Sequence, residues 1–284
     1  MTGNVPDDSP YEFYPSVPAA AIVSGLFCIP LGWHLYKILT TRTWFCIPFV
    51  IGALFEVVGF GVRTTGKSKP TELSLYIVQY LGILLAPIFF AAAVYMFLGR
   101  LIGVTNGQQY SFIRITWLTK IFVGGDVLCF FIQVVGGGLQ ASADDADGNK
   151  LGQDIILCGL ALQIVIFCVF LASAVVFHVR IRKRPTARSR ETEFPWERFL
   201  NMLYVVSVLI TLRNIFRAAE YALGKEAYLL SVEWPVYVFD ALPMGAVLAI
   251  SAKWYVGKLD IKGEHVGLVS SNGDDAPDNH YLRA

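Results

Sequence analysis

Arg213, Arg217 and Glu220 close an apolar run that begins at Phe199. Their spacings of four and three residues set all three on one face of a helix. An arginine facing lipid near the bilayer centre costs roughly 2.5–3.5 kcal/mol, so this face is expected to turn inward, towards partners. The acids that could answer it within apolar runs are Glu56, Asp126, Glu220, Glu233 and Asp240, and Arg63 is a third cation. Such groups can pair with one another or hold the charged end of an amphipathic solute. Metal or nucleotide chemistry is not indicated. His34 and His178 fall near helix ends and His265 and His280 in a polar tail, which leaves no three-histidine zinc site. No G-x-x-x-x-G-K-[ST] motif is present. The chain is therefore expected not to be an enzyme and to need no cofactor.

The other polar residues follow helical spacing as well. Glu56 and Arg63 are seven apart, nearly on one face, with Glu56 about 10 Å deeper at 1.5 Å per residue. Asp126 and Gln133 are also seven apart, and Glu233, Tyr237 and Asp240 share a face. Gln79 stands near one end of its segment, and Gln163 lies within the fifth, where a lone buried glutamine is more often a bridge between helices than a ligand contact. Two readings stay open and can coexist: a closed ion-pair network, or a wet cavity that binds an amphipathic solute. Several neighbours have plainer roles. Gly59, Gly61 and Ala91 to Ala93 suit close helix packing. Pro87 predicts a kink, static or hinged. Gly136, Gly137 and Gly138 read as the end of the fourth helix.

The elements that must position these groups follow from composition. The 284 residues are 55% hydrophobic and 16% charged, against roughly 25% charged in soluble domains. The net charge of +1 gives no reason to expect a nucleic-acid partner. Seven apolar segments, 17–39, 44–62, 75–98, 116–139, 155–179, 199–219 and 234–256, each approach the roughly 20 residues that cross a hydrocarbon core. The predicted fold is an all-α, polytopic membrane protein, a bundle of seven transmembrane helices. With the N-terminus outside and the C-terminus cytoplasmic, sixteen Lys and Arg lie inside and five outside, leaving Arg213 and Arg217 within the sixth segment. Residues 1–16 carry Asp7, Asp8 and Glu12 but no basic residue, unlike a cleaved signal peptide, and form an extracellular segment. Residues 17–258 are the membrane domain, and 259–284 a disordered cytoplasmic tail. The basic stretch Arg180 to Arg198 is a topology signal with a possible affinity for anionic lipid. Cys28, Cys46, Cys129, Cys158 and Cys168 all sit in apolar runs without C-x-x-C pairing and read as small buried hydrophobes.

An ordered series of short motifs carries a resemblance. It runs Glu56-x-x-Gly59-Phe60-x-x-Arg63, Gln79, Ala86-Pro87, Tyr95, Asp126, Gln133, Gly136-Gly137-Gly138, Gly159, Gln163, Arg213-x-x-x-Arg217-x-x-Glu220, Gly224, Glu233, Tyr237 and Asp240. Between about Tyr11 and Lys258 the chain resembles the fungal RTA1-like proteins, also called the lipid-translocating exporter family. Phe60 stands where Tyr is as frequent, which removes one hydroxyl. The resemblance implies a multi-pass protein, commonly of the plasma membrane, linked to movement of sphingoid long-chain bases, to resistance against toxic amphiphiles and, in some members, to porphyrin movement. Its implied partners are membrane lipids and an amphipathic small molecule. A seven-helix lipid sensor or receptor is the alternative; the seventh segment has no mid-membrane lysine for a retinal Schiff base.

Overall fold

A computed structural model describes residues 16–66, 68, 72–143, 145–186, 189, 195–223 and 233–255. The predicted extracellular segment before Ser16, part of the basic stretch, Gly224 and the predicted cytoplasmic tail lie outside the described residues. Every regular element among the described residues is helical. Helix α1 is Val17–Thr41, α2 Ile47–Arg63, α3 Leu73–Val104, α4 Ile115–Ser142, α5 Ala146–Lys183 and α6 Trp196–Leu223. A shorter apolar helix, α7, covers Val236–Ser251. The first six elements are each long and apolar enough to cross a membrane. The seventh measures about 24 Å by its residue count, shorter than the segment 234–256 predicted from hydropathy. Asp145 caps α5 by accepting a hydrogen bond from the Gly148 N–H, and Arg180, Arg182 and Lys183 occupy its last turn, where the helix dipole favours cations.

Helices adjacent in sequence pack side by side from α1 to α7, α1 also touches α7, and α3 packs against α6 as well as α2 and α4. The seven helices thus close into a ring, and α3 reaches across it to α6. The most apolar stretch of α3 is 78% buried against 17% for that of α1, which identifies α3 as the core helix. Outward faces are apolar: Ile22, Leu26, Ile29 and Trp33 on α1 and Val205, Val208, Leu212 and Ile215 on α6 are all exposed. Water-soluble proteins rarely expose contiguous apolar patches of more than a few hundred Å². Lipid covers such a surface, and the charges go inside. The protein is a polytopic membrane bundle.

Glycines set two of the crossings. A Cβ added to Gly82 of α3 would lie 3.3 Å from the Gly59 Cα of α2. One added to Gly152 of α5 would lie 2.7 Å from the Gly136 carbonyl oxygen of α4. Gly136 to Gly138 therefore do not end α4, as expected from sequence; the helix continues to Ser142, and Gly136 admits the backbone of α5. Two of the cysteines are buried, Cys46 and Cys129, whereas Cys28, Cys158 and Cys168 face outward as lipid-side apolar groups. At the end of the bundle opposite Arg63, His34 Nε2 meets the Leu248 carbonyl at 2.9 Å and Nδ1 meets the Tyr255 hydroxyl at 2.5 Å, tying α1 to the end of α7.

Candidate functional site

The helical spacing of α6 delivers Arg213 and Arg217 to the interior, where α7 supplies Asp240. One oxygen of Asp240 accepts from Arg213 Nε at 2.6 Å, and the other accepts from Arg217 Nη2. Arg217 Nη1 also donates to Glu220 at 2.9 Å, one turn along its own helix. The side chains of Arg213 and Asp240 are each 1% exposed and that of Arg217 is 13% exposed, so the pairs lie in the protein interior rather than at its surface.

Arg213 has a second partner that depends on a proline. Its Nη2 donates to the backbone carbonyl of Ile83 in α3, at 2.9 Å. In a regular helix the N–H of the residue four later takes that carbonyl, but here that residue is Pro87, which has no N–H. Pro87 thus frees an acceptor in the middle of the most buried helix, and the guanidinium fills it. A second proline shapes the acid. The stretch Val236–Ala241 is a π turn, with the Leu242 N–H donating to Tyr237, five residues back, immediately before Pro243. Widening this turn accommodates a proline that cannot bond to the carbonyl four residues earlier. It also divides the face predicted for Glu233, Tyr237 and Asp240. Asp240 turns to α6, while the Tyr237 hydroxyl donates to Glu233 at 2.7 Å.

Glu56 of α2 joins the first group. It is 1% exposed, and the charges of Asp240, Arg213 and Arg217 all reach it. Neither of its carboxyl oxygens has a hydrogen-bond partner among the described residues. Towards the Arg63 end, the Tyr221 hydroxyl donates to the Tyr80 hydroxyl at 2.6 Å, and Gln153 of α5 donates to the Tyr221 carbonyl. Gln153 also lines an open cleft of about 530 Å³ with Gln140, Asn149, Lys150 and Asp154.

The remaining candidates form two other groups. Arg63 donates to Glu233 at 3.3–3.4 Å, and the Ser16 N–H donates to the same carboxylate at 2.9–3.0 Å. This joins α1, α2 and α7 at one end of the bundle. Away from the arginines, between α3, α4 and α5, the Tyr95 hydroxyl donates to Asp126 at 2.8 Å and Gln133 donates to Gln163 at 3.0 Å. The other Asp126 oxygen has no hydrogen-bond partner among the described residues. Phe122, Phe167 and Phe170 pack on Tyr95, with ring centroids 4.5–6.0 Å away. Gln79 is buried on α3 one turn before Ile83. The structure therefore brings Glu56, Arg213, Arg217, Glu220 and Asp240 together. It separates Arg63, Glu233 and Tyr237 from them, and sets Asp126, Gln133 and Gln163 apart. Sequence reasoning missed the Ile83 carbonyl and the Tyr80–Tyr221 contact. The first carried a signal, since Pro87 stands four residues after Ile83.

Comparison with known proteins adds a second line of observation. A family profile described as "RTA1 like protein" matches residues 49–260. Protein RTM1 of Saccharomyces cerevisiae is 35% identical over 242 residues, covering 84% of this chain and 74% of the relative. Protoporphyrin uptake protein 1 of the same yeast is 36% identical over 202 residues, covering 71% of this chain and 65% of the relative. Sphingoid long-chain base transporter RSB1, also from that yeast, is 27% identical over 283 residues, covering 88% of this chain and 74% of the relative. No solved structure matches.

Proposed function

The chain belongs to the RTA1-like family, and from that premise we propose that it translocates amphipathic lipids such as sphingoid long-chain bases, exporting them and so conferring resistance to toxic amphiphiles. The observation that carries this reading is the buried group Glu56, Arg213, Arg217, Glu220 and Asp240, set inside a bundle whose outward faces are apolar. Charges this deep need a reason, because ionisable residues inside membrane spans are costly and serve pathways or ligands. Relatives named for a sphingoid base and for a porphyrin both handle molecules with an apolar body and a charged part. The group offers both signs of charge to such a molecule, and the apolar faces leave its body in lipid. The Lys and Arg distribution supports an N-terminus outside, which places the Arg63 end of the bundle at the outer surface, and a plasma-membrane location is part of this reading. The assigned activity is transport, with no catalytic step.

Purified protein in liposomes, given labelled sphingoid bases and porphyrins in parallel, tests this. Protein-dependent movement of one class across the bilayer is the expected result and identifies the cargo. Binding without movement would replace transport with a seven-helix lipid sensor.

A further inference from the structure

The charges in the buried group do not balance if every acid is ionised. Arg213 and Arg217 are matched by Asp240 and Glu220, with hydrogen bonds to each. Glu56 is then a third carboxyl, fully enclosed, with no donor to either oxygen among the described residues. Among the described residues, Asp240 from α7 and Arg213 and Arg217 from α6 are the charged groups that act on it. Of the other helices packed on α2, α1 carries His34 and Lys37 and α3 carries Arg100 as basic residues, all towards the far end of the bundle. No further cation among these is placed to answer Glu56. An uncompensated buried carboxylate is strongly disfavoured and neutralises itself instead.

We infer that Glu56 holds a proton in this closed state and that the site exchanges this proton for the cationic head of an amphiphile, one for one. The inference rests on the transport reading above and supplies its coupling ion. In the exchange, the O–H bond of the Glu56 carboxyl breaks and the proton leaves to water. The carboxylate left behind is the counter-charge that the incoming cation requires. One positive charge leaves and one enters, so the buried group stays neutral and the exchange is electroneutral. Polar groups lie between this site and the open cleft: Arg217 pairs with Glu220, the Tyr80 and Tyr221 hydroxyls bond each other, and Gln153 in the cleft wall donates to the Tyr221 carbonyl. Substrate and proton then compete for one carboxyl, and an acidic exterior drives a cationic amphiphile out of the cell.

The probe is dodecyltrimethylammonium, which cannot give up a proton itself. Added to purified full-length protein in weakly buffered detergent with a pH-sensitive dye, it releases about one proton per molecule bound. Glu56→Gln, which mimics the protonated carboxyl in shape and charge but cannot become the counter-charge, loses most of the probe binding and releases no proton. In liposomes, each unit of pH difference drives about a tenfold concentration ratio of the probe through the wild type, and none through Glu56→Gln. The variant also unfolds within a few degrees of the wild type, because neutral replaces neutral. Probe binding with no proton released, or equal release from Glu56→Gln, overturns the inference while leaving transport intact. So does marked destabilisation of Glu56→Gln, which would reveal an ionised Glu56 in the closed state. Absence of any protein-dependent binding or movement, of this probe or of the lipid panel, removes the transport reading and this inference together.

Discussion

Replacing Asp240 by Asn is nearly isosteric, yet it removes the charge that both arginines share. Asp240 accepts from Arg213 through one oxygen and from Arg217 through the other. An asparagine keeps one acceptor and turns an N–H towards the second guanidinium. Because the Arg213–Asp240 pair is 1% exposed on both sides, water cannot screen the loss. Removing one partner of such a pair typically costs about 3–5 kcal/mol, a large share of a total stability of about 5–15 kcal/mol. For a chain of this size the expected fall in melting temperature is roughly 6–20 °C. The assay is thermal unfolding of purified protein in detergent, for Asp240→Asn, Arg213→Gln and the double variant. The double variant restores electrical balance, so its loss should fall short of the sum of the singles by about 1–3 kcal/mol, as for groups in direct contact. A loss below about 1 kcal/mol for Asp240→Asn would refute the reasoning. That is the value of a solvated surface pair, and it would mean that water fills the site in the membrane.

Other perturbations separate packing from charge. Pro87→Ala restores a helical N–H worth up to about 3 kcal/mol, but the new bond competes with the Arg213–Ile83 contact, a charged hydrogen bond worth about 1.5–3 kcal/mol; melting should change little while lipid movement in liposomes drops, and a full gain in stability with unchanged transport would count against the Ile83 contact. Gly152→Ala sets a Cβ 2.6 Å from the Gln140 amide nitrogen and should cost about 1–3 kcal/mol, whereas Gly25→Ala meets nothing within 4 Å and should melt like the wild type. Glu233→Gln perturbs a pair 8% and 17% exposed, so its loss should be well below that of Asp240→Asn when both are melted side by side. A protease site in the basic stretch between Arg180 and Arg198 should be cleaved only from the cytoplasmic side; cleavage in intact cells would reverse the orientation.

Much of the architecture was legible because hydropathy and charge act locally. The apolar runs mark the helices to within a few residues for most of the chain, and the i, i+4 and i, i+3 spacing of Arg213, Arg217 and Glu220 puts them on one interior face. What was not legible depends on contacts between helices. Gly136 to Gly138 look like a helix end until the backbone of α5 is seen pressed against Gly136. Glu233, Tyr237 and Asp240 share a face on an ideal helix, but the π turn before Pro243 divides them between two groups. Asp126 carries the same kind of signal as Glu56, yet its side chain on α4 meets Tyr95 of α3, a tyrosine in place of an arginine. Spacing tells which residues share a face and says nothing about which helix that face will meet.

The position of Asp240 on α7, after the arginines of α6, has a consequence for how the protein is made. During synthesis α6 reaches the bilayer with Arg213 and Arg217 before α7 exists. On insertion scales an arginine at the centre of a span costs roughly 2.5–3.5 kcal/mol, and the two in the second half of α6 oppose its entry by less than twice that. Glu220 answers only one of them. The sixth span must therefore wait at the insertion machinery, or enter only part way, until the acid on α7 emerges and both cross as a unit. Chains truncated between the two would strand an arginine and be recognised by quality control as unfinished. The pairing of Asp240 with both arginines would thus also act as a checkpoint on completion of the bundle.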